Sequence, residues 1–285
     1  MEVIRTIAGT LASCEGARAH QRTVGLVPTM GALHRGHASL ITRAREERDH
    51  VVVSIFVNPT QFDRAEDLDA YPRDEERDLA ECERLGVDVV FAPGVTEMYP
   101  QGFTDVTVDP GALGERFEGA ARPGHFRAVA TVVAKLFHAV GPCAAYFGEK
   151  DAQQLAVIRR MLADLSFPVE LVACATVREP GGLALSSRNA RLTEEQRDAA
   201  SCLFAGLATA AELARTGERD GAKLVAAIAR EVGATPQARL DHAVIVDDDR
   251  FEEIATLEGV ERARALVAAW FGDVRLIDNV ALPVA

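Results

Sequence analysis

The sequence has no long apolar run, no cysteine motif and no excess of positive charge, and each absence narrows its possible function. No apolar stretch reaches the roughly 18 residues that suggest a membrane-spanning helix, so we expect no membrane partner. The first ten residues show no basic segment followed by an apolar one, so we expect no secretory signal. The formal net charge of −12 argues against nucleic-acid binding, which depends on lysine and arginine contacts with phosphates.

The five cysteines are scattered along the chain, and none of them forms a C-x-x-C pair. They are Cys14, Cys82, Cys143, Cys174 and Cys202. Reduced thiols are the simplest interpretation, which predicts a cytoplasmic protein. Scattered thiols are also poor candidates for a metal site, so we predict no metal-ligating residues.

The composition and the order of apolar segments predict an α/β fold. The chain has 285 residues, of which 48% are hydrophobic, enough for one large or two medium domains. Val51–Val57 is a nearly continuous β-branched run, typical of a parallel strand covered on both faces. After Thr193 the sequence changes to alanine-rich amphipathic helices followed by short strands. We therefore predict a parallel-sheet domain over residues 1–177 and a smaller α+β domain over 178–285.

Several individual elements follow from the same patterns. The polar segment 63–78 is predicted to be a solvated loop that leads into a helix. A long loop next to a site can also act as a lid. The segment Val106–Val108 is predicted to be a short strand. In the C-terminal part we predict strands at 240–246, 263–270 and 274–277, with a helix at 251–257 before the second strand.

The most distinctive segment is PTMGALHRGH, from Pro28 to His37. It predicts the end of a buried strand, a tight glycine-containing loop and a helix that starts at His37. Backbone N–H groups at a helix start are unpaired within the helix and favour anions, so a phosphate would bind well there. His34 and His37, in an H-x-G-H spacing, have the chemistry to donate hydrogen bonds to that phosphate. The alternative is that either histidine caps the helix or lies on the surface.

Further polar clusters follow other predicted strands. Asn58 and Gln61 come just after Val51–Val57, where ligands of parallel sheets bind, although Asn-Pro is also a common turn. Arg122 and His125 lie where a glycine-rich turn opens a helix. They indicate either contact with an anion or structural support for the ligand loops, and the sequence does not choose between these.

Two later clusters carry positive charge. Lys150 follows a predicted strand and precedes a helix, where a phosphate-binding cation is useful. Asp151 beside it fits an N-cap, with Gln154 completing a capping-box-like pair. The triplet Ser186–Arg188 offers hydroxyl donors and a bidentate guanidinium, but such a triplet alone is a weak signal.

Taken together, these motifs resemble one enzyme family. They are PTMGALHRGH (28–37), SIFVNPTQF (54–62), RPGHF (122–126), FGEKDAQQL (147–155) and LALSSRN (183–189). The chain resembles the pantoate–β-alanine ligase family of the nucleotidylyltransferase superfamily, which includes class I aminoacyl-tRNA synthetases. The tail segments VAAWFGD (267–273) and LIDN (276–279) are similar to the family as well. The resemblance implies a Rossmann-like doubly wound parallel sheet with a smaller C-terminal domain.

The resemblance also implies an activity and its partners. The expected reaction is ATP-dependent condensation of pantoate with β-alanine through a pantoyl adenylate, which serves pantothenate and coenzyme A biosynthesis. Mg²⁺ is expected to bridge ATP phosphates, mainly through water, and a homodimer is expected. Two alternatives stay open: a cytidylyltransferase, which would favour Lys or Arg in place of Gln61 and Gln154, and a regulatory protein that binds ATP without releasing pyrophosphate.

Residue roles are likewise implied by the resemblance. The catalytic residues would be His34, His37, Lys150 and Arg188. The ATP-binding residues would be Met30, Gly31, Ala32, Leu33, His34, Arg35, Gly36, His37, Gly148, Glu149, Lys150, Asp151, Val177, Leu185, Ser186, Ser187 and Arg188. Pantoate and β-alanine would be bound by Pro28, Thr29, Asn58, Gln61 and Gln154. The family's residue at His37 is described as a proton donor, but an ordinary imidazole, with a pKa of about 6.5, is mostly neutral at pH 7. We therefore expect hydrogen bonding to the leaving pyrophosphate.

One position departs from the family, and one question stays open. Gly181–Gly182 stands where the family often has Asp-Gly, which predicts a looser linker before LALSSRN. The homodimer interface is expected either on the apolar strand Val52–Val57 or on the C-terminal half of the chain.

Overall fold

The structure, a computed structural model, describes residues 1–62, 65–102 and 105–284. The chain divides into two compact units. Residues 1–149 and 153–174 form the N-terminal unit, while residues 150–152 and the chain from 175 onward form the C-terminal unit. The short segment 150–152 therefore groups with the C-terminal unit, although the residues on both sides of it belong to the N-terminal one.

The N-terminal unit is built on a six-stranded sheet whose paired strands all run parallel. The strands are β1 (Glu2–Ile4), β2 (Val24–Thr29), β3 (His50–Ile55), β4 (Val89–Phe91), β5 (Cys143–Gly148) and β6 (Val169–Cys174). Their order is β1-β4-β3-β2-β5-β6, so the winding direction reverses between β2 and β5. The predicted doubly wound sheet is confirmed, and ligands of such sheets bind beyond the carboxyl ends of the strands at the reversal.

Helices cover both faces of this sheet. They are α1 (Ile7–Ala19), α2 (Arg35–Glu47), α3 (Ala65–Asp69), α4 (Glu75–Arg84), α5 (Val95–Met98), α6 (Glu118–Ala121), α7 (His125–Val140) and α8 (Ala152–Asp164). Alternate strand residues enter two cores, because neighbouring side chains of a strand point to opposite faces. Leu26 and Val52 belong to the core that holds α7, whereas Val27, Val51 and Val53 belong to the core that holds α2.

The central strand β3 lies between β4 and β2 in the sheet, and its residues Val51, Val52 and Val53 are all 0% exposed. The end of the segment Val52–Val57 differs, because Ile55 and Val57 are partly exposed. Both expected dimer interfaces therefore stay predictions, with the surface of the first limited to the end of this segment.

Two predictions for this unit, a strand at 106–108 and a solvated loop at 63–78, differ from the structure. Val106–Val108 is not a strand, because Val108 donates its backbone N–H to Thr131 Oγ1 (3.0 Å) instead of pairing with a neighbouring strand. The predicted loop 63–78 contains α3, and its residues 63 and 64 lie outside the described residues, whereas the helix into which it was predicted to lead is present as α4. Its last residue, Asp78, is only 2% exposed, so it is a buried group and not a solvated one.

The C-terminal unit packs helices on one antiparallel sheet of three strands in the order β7-β8-β9. Its elements are α9 (Glu194–Ala199), α10 (Cys202–Arg215), α11 (Gly221–Gly233), β7 (Ala238–Asp247), β8 (Ala263–Phe271) and β9 (Val274–Leu282). The capping box predicted at Thr193 and Gln196 is present. Leu207 of α10 and Ile228 of α11 meet Val267 of β8 in one core. The α+β arrangement predicted for this part of the chain is observed.

The helix predicted at 251–257 is replaced by a turn and a short return of the chain. Asp247 Oδ1 accepts the N–H groups of Asp249 (2.9 Å) and Arg250 (2.8 Å), which closes a tight turn. Phe251 then has a positive φ of 54°, and Glu253 pairs with Val246. Within the predicted helix, the backbone N–H groups of Ile254 and Leu257 donate to the carbonyls of Ile245 (3.0 Å) and Arg219 (2.9 Å) and not to a helical turn, so the apolar spacing is overridden here. Within the described part of the chain, no helix is long and apolar enough to cross a membrane.

Candidate functional site

The predicted site residues of the N-terminal unit gather at one edge of the parallel sheet. The loop before α2 follows β2, the 3₁₀ turn Pro59–Gln61 follows β3, and Gly148 ends β5. Because β3, β2 and β5 are parallel neighbours, their carboxyl ends lie side by side. The fold therefore brings the histidine motif, the asparagine–glutamine motif and the start of the lysine motif to the same edge.

Asp78 shapes the loop between β2 and α2, and the sequence analysis missed it as a functional residue. Its carboxylate accepts the backbone N–H groups of Ala32 (2.8 Å) and Leu33 (2.7 Å). Gly31 and Ala32 both have positive φ, and a Cβ on Gly31 would lie 2.8 Å from Asp78 Oδ2. The buried carboxylate thus holds a strained loop in place. Its sequence signal was weak, because Glu75 and Glu76 precede it and acidic residues are common in the first turn of a helix.

His34 and His37 form a stacked pair at the start of α2. Their ring centroids are 4.1 Å apart, with an interplanar angle of 22°. α2 begins at Arg35, two residues earlier than predicted, and His34 caps it by accepting the Gly36 N–H at Nδ1 (3.1 Å). The neutral His34 ring therefore carries its proton on Nε2. The capping interpretation is correct for His34, and it orients the ring against His37.

Asn58 and Gln61 are joined by a hydrogen bond after β3. Asn58 is 1% exposed, and its Oδ1 accepts the hydroxyls of Tyr99 (2.8 Å) and Thr60 (2.9 Å). Its Nδ2 donates to Gln61 Oε1 (3.1 Å), and Gln61 Nε2 lies 3.0 Å from Met30 Sδ. The turn interpretation of Asn58 is correct, and its side chain also orients the Gln61 amide, while the ligand-binding interpretation of both residues stays a prediction.

Arg122 and His125 meet the backbone of Gln61. Arg122 Nη2 donates to the Gln61 carbonyl (2.9 Å), and His125 Nδ1 lies 3.2 Å from the same oxygen. Arg122 Nη1 lies 3.1 Å from His125 Nε2. Since arginine only donates, His125 Nε2 accepts and Nδ1–H donates to the carbonyl. Of the two interpretations left open for this pair, these contacts favour support of the ligand loops.

The two glutamines at the start of α8 have different environments. Gln153 is 4% exposed, and its Nε2 donates to the carbonyls of Leu113 (2.9 Å) and Arg116 (2.8 Å). Its Oε1 accepts the Glu118 N–H (3.0 Å), so Gln153 ties the segment before α6 to α8. Gln154 is partly exposed and makes no hydrogen bond with the described residues. The structure thus leaves the amide of Gln154, and not that of Gln153, for a ligand.

Lys150 lies in a 3₁₀ turn, Glu149–Asp151, that runs directly into α8. Asp151 directly precedes α8, as predicted, but among the described residues its carboxylate contacts Lys150 and accepts no backbone N–H, so the capping-box-like pair with Gln154 is not formed. Lys150 Nζ lies 3.9 Å from Asp151 Oδ1, and the lysine side chain is 15% exposed. Its backbone carbonyl accepts Asn279 Nδ2 (2.9 Å), a contact from β9 that the sequence did not indicate.

The linker before the serine motif is a closed hairpin. The Leu185 N–H donates to the Val177 carbonyl (2.9 Å), and the Gly182 N–H donates to the Glu179 carbonyl (2.8 Å). Gly182 has a φ of 95°, and a Cβ there would lie 2.7 Å from the Phe204 ring. Glycine is therefore required at Gly182, where the family also has glycine. The departure lies at Gly181, where a Cβ would meet only Ser201 Cβ at 3.9 Å, so the looser linker stays a prediction.

The serine motif itself forms a capped turn. Ser186 Oγ accepts the Arg188 N–H (3.3 Å), which opens the 3₁₀ turn Ser187–Arg191. Asn189 is buried, and its Nδ2 donates to the Ala184 carbonyl (3.0 Å), which fastens the turn to the hairpin. The side chains of residues 186–188 remain partly exposed. The motif is therefore a hydrogen-bonded, accessible group of two hydroxyls and one guanidinium.

The cysteines are all free thiols without a nucleophilic setting. Burial raises the pKa of Cys14 to about 11 and that of Cys82 and Cys143 to about 12. Burial also raises the pKa of Cys174 and Cys202. A thiol must ionise to attack or to bind a metal, so these cysteines have packing roles.

The sheet reversal, the ordered loop at a helix start and the clustered amides are typical of α/β proteins that bind a phosphate-bearing ligand beyond their strand ends. A family model described as pantoate-β-alanine ligase matches residues 2–281. The chain belongs to the pantoate-β-alanine ligase family, and it is therefore a ligase.

Individual relatives agree with this assignment. The pantothenate synthetase of Roseiflexus sp. (strain RS-1) is 54% identical over 283 residues, covering 99% of each chain. The crystal structure of pantothenate synthetase from Thermus thermophilus has a TM-score of 0.89 and 48% identity, covering 98% of this chain and 99% of that one. The Francisella tularensis pantoate-β-alanine ligase, solved with β-γ ATP and β-alanine, has a TM-score of 0.77 and 34% identity, covering 98% and 97%. The family predicted from the motifs is confirmed, and the cytidylyltransferase and regulatory alternatives are set aside.

Proposed function

We propose that this chain condenses pantoate with β-alanine by way of a pantoyl adenylate. The observation that carries the proposal is the set of polar groups at the carboxyl ends of β2 and β3, where His34, His37 and Gln61 are held in fixed orientations. The Francisella relative, whose complex contains β-γ ATP and β-alanine, supports the choice of substrates.

The proposed chemistry has two steps. A pantoate carboxylate oxygen attacks the α-phosphorus of ATP, a new P–O bond forms, and the bond to pyrophosphate breaks. The β-alanine amine then attacks the acyl carbon, AMP leaves with the electron pair of the broken C–O bond, and the nitrogen loses a proton. A carboxylate is a poor electrophile, so the mixed anhydride supplies the leaving group. The first step depends mainly on positioning and charge stabilisation.

In this proposal, the loop Met30–His37 binds ATP, and His34 and His37 donate hydrogen bonds to its phosphates. Negative charge grows on the leaving pyrophosphate, and donors that are oriented beforehand stabilise it without further rearrangement. Two contacts support the proposal: the His34 ring is stacked on His37, and its Nδ1 accepts the Gly36 N–H, which leaves Nε2–H as its donor.

Gln61 and Gln154 are proposed to bind the hydroxyls and carboxylate of pantoate, with Gln61 also near the incoming β-alanine. Both are neutral groups that donate and accept, which suits a hydroxy acid better than a phosphorylated substrate. Asn58 supports Gln61 through the hydrogen bond between their amides. Pro28 and Thr29, at the end of β2, are proposed to contact the same substrate through their position next to the loop.

Lys150 and Arg188 are proposed to bind ATP phosphates, together with the hydroxyls of Ser186 and Ser187. Asp151 is proposed to lie near the ribose, and the backbone of Val177 to contact the adenine. Mg²⁺ would enter with ATP as part of the substrate and would neutralise phosphate charge, with mainly water and few protein groups as its other ligands.

A cytoplasmic homodimer is also part of the proposal. The five cysteines are all free, which is the usual state in a reducing compartment and supports a cytoplasmic location. Its interface is proposed to lie either at the partly exposed end of the segment Val52–Val57 or on the C-terminal half of the chain.

The test is isotope exchange between pyrophosphate and ATP, with pantoate present and β-alanine absent. Exchange that requires both pantoate and Mg²⁺ is expected, because only a reversible adenylation returns labelled pyrophosphate to ATP. Absence of exchange, in a protein that still binds ATP, would overturn the adenylate and the proposed acceptor.

A further inference from the structure

The tail motif LIDN contains two buried polar residues that the proposed reaction leaves without a role. Asp278 and Asn279 lie on β9 and are 3% and 5% exposed. Both lie far in sequence from every residue of the proposed ATP site. Buried polar side chains are retained only where their hydrogen bonds are satisfied, so the partners of this pair show what it does.

Asn279 holds the backbone of Lys150. Its Oδ1 accepts Arg264 Nη1 (2.6 Å), and its Nδ2 donates to the Lys150 carbonyl (2.9 Å). Arg264 is itself fixed by Asp248, with Nε and Oδ1 2.6 Å apart. Because arginine only donates, the oxygen of the Asn279 amide must face it, and the amide nitrogen is then directed to Lys150.

Asp278 holds the hairpin that leads to the serine motif. Its carboxylate binds Arg178 through two hydrogen bonds, of 2.5 and 2.9 Å. Arg178 Nη1 also donates to the Gly182 carbonyl (3.0 Å), and its guanidinium lies 4.0 Å from the centroid of the Phe204 ring. A bidentate arginine–carboxylate pair fixes orientation as well as distance.

We propose that Asp278 and Asn279 are positioning residues, which fix the Lys150 turn and the hairpin before Ser186–Arg188 to one strand. The Asp278 carboxylate also accepts the Asn279 N–H (2.8 Å), so the two anchors are joined directly. Lys150 is thereby held in register with the serine motif although 35 or more residues separate them in the sequence. This inference rests on the proposed function, in which both segments bind the phosphates of one ATP.

The first test replaces Asn279 by Asp, which keeps an oxygen for Arg264 and removes the donor to Lys150. Pantoate-dependent exchange is expected to fall about tenfold in kcat, as for the loss of one oriented hydrogen bond, with KM for pantoate unchanged. Asn279→Ala is expected to lose activity similarly. A loss confined to Asn279→Asp would assign the effect to added charge and overturn the proposal.

A double-mutant cycle separates positioning from general destabilisation. In a Lys150→Ala background, Asn279→Asp is expected to reduce the remaining exchange by less than about twofold, because the side chain that it positions is absent. A full tenfold loss in that background would show that Asn279 acts by another route. Wild-type protein without exchange would refute the proposed function itself, a result distinct from either outcome.

The Asp278 anchor is tested by Asp278→Asn and Arg178→Lys, each alone and with Arg188→Ala. Both single variants are expected to raise KM for ATP about tenfold, and neither is expected to add to Arg188→Ala. Arg178→Lys keeps the positive charge, so the Asp278–Arg178 contact can still be tested if Asp278→Asn fails to fold. Asp241→Asn is the matched control, because its pair with Arg275 is an arginine–carboxylate contact on the same sheet that touches neither segment. Normal KM values in both anchor variants, or additive effects, would overturn the proposal.

Discussion

The two units of this protein hold their proposed phosphate-binding segments in different ways. In the N-terminal unit, the loop before α2 is held by Asp78 of α4, which lies 46 residues after Ala32 in the sequence. In the C-terminal unit, Lys150 and Arg178 are held from β9, at separations of 129 and 100 residues. The first arrangement follows from consecutive βα units, whereas the second requires the chain to return to residues 150–152 after building a whole antiparallel sheet.

This difference teaches where substitutions are expected to act. A substitution near the histidine loop changes the backbone conformation of the loop between β2 and α2. The free energy of unfolding and the affinity for ATP should therefore change together. In contrast, a substitution on β9 should affect catalysis by changing the positions of Lys150 and Ser186–Arg188. It should have little effect on the stability of the parallel sheet in the N-terminal unit.

The largest effect is expected for Lys150→Ala. Removal of a cation from the phosphates should slow pantoate-dependent exchange by about 10²- to 10³-fold, as for the loss of an oriented charge-stabilising group. Lys223→Ala is the control, because that exposed lysine in the same unit pairs with Glu218 (3.0 Å). Unchanged exchange in Lys150→Ala would remove this residue from the mechanism. The Lys150 turn would then no longer count as a phosphate-binding segment to compare with the histidine loop.

The next largest effect is expected for Gln61→Ala in the N-terminal unit. KM for pantoate should rise about 10- to 100-fold, because the polar groups of the substrate would lose a partner that Asn58 orients. KM for ATP should change by less than about twofold. Initial-rate kinetics with each substrate varied in turn measure both values, and equal increases for ATP and pantoate would contradict the placement of Gln61.

Asp78→Asn sharpens the view that the histidine loop is held locally. An amide accepts with only one oxygen, so one of the two loop N–H groups loses its partner, at a cost of about 1–3 kcal/mol of unfolding free energy. We expect kcat/KM for ATP to fall about tenfold in parallel. Asp74→Asn, at the N-cap of the same helix, should change neither quantity, since asparagine also caps well. A stable and fully active Asp78→Asn variant would show that the loop needs no such support.

The smallest effect is expected from His50, at the start of β3, and concerns pH. Burial lowers the pKa of His50 below its ordinary value, so the folded chain favours the neutral ring. As the pH falls below about 6.5, the unfolded chain binds a proton that the folded chain resists, and stability is lost. His50→Gln should lose less stability than wild type between pH 7.5 and 5.5, as measured by denaturant unfolding. Hydrogen exchange should place the difference in the N-terminal unit, and equal losses in both proteins would contradict this assignment.

Much of the fold was predictable because its apolar patterns are strong. The β-branched run of β3 indicated a strand with two covered faces, and Val51–Val53 are fully buried. Two of the wrong element predictions, at 106–108 and 251–257, share one cause. In each, backbone N–H groups that the predicted strand or helix would have used donate to distant residues: Val108 to the Thr131 hydroxyl, and Ile254 and Leu257 to the carbonyls of Ile245 and Arg219.

By itself, the sequence determined the class of chemistry and the family, because the histidine, glutamine, lysine and serine motifs are short, local and distinctive. Only the tertiary structure decided how these motifs are held. Asp78, Asp278 and Asn279 belong to ordinary acidic or strand segments, and nothing in their neighbours along the chain indicates their partners. Hydrogen bonds depend on distances of about 3 Å between atoms that folding brings together, so supporting residues become visible only once the sheet topology is known.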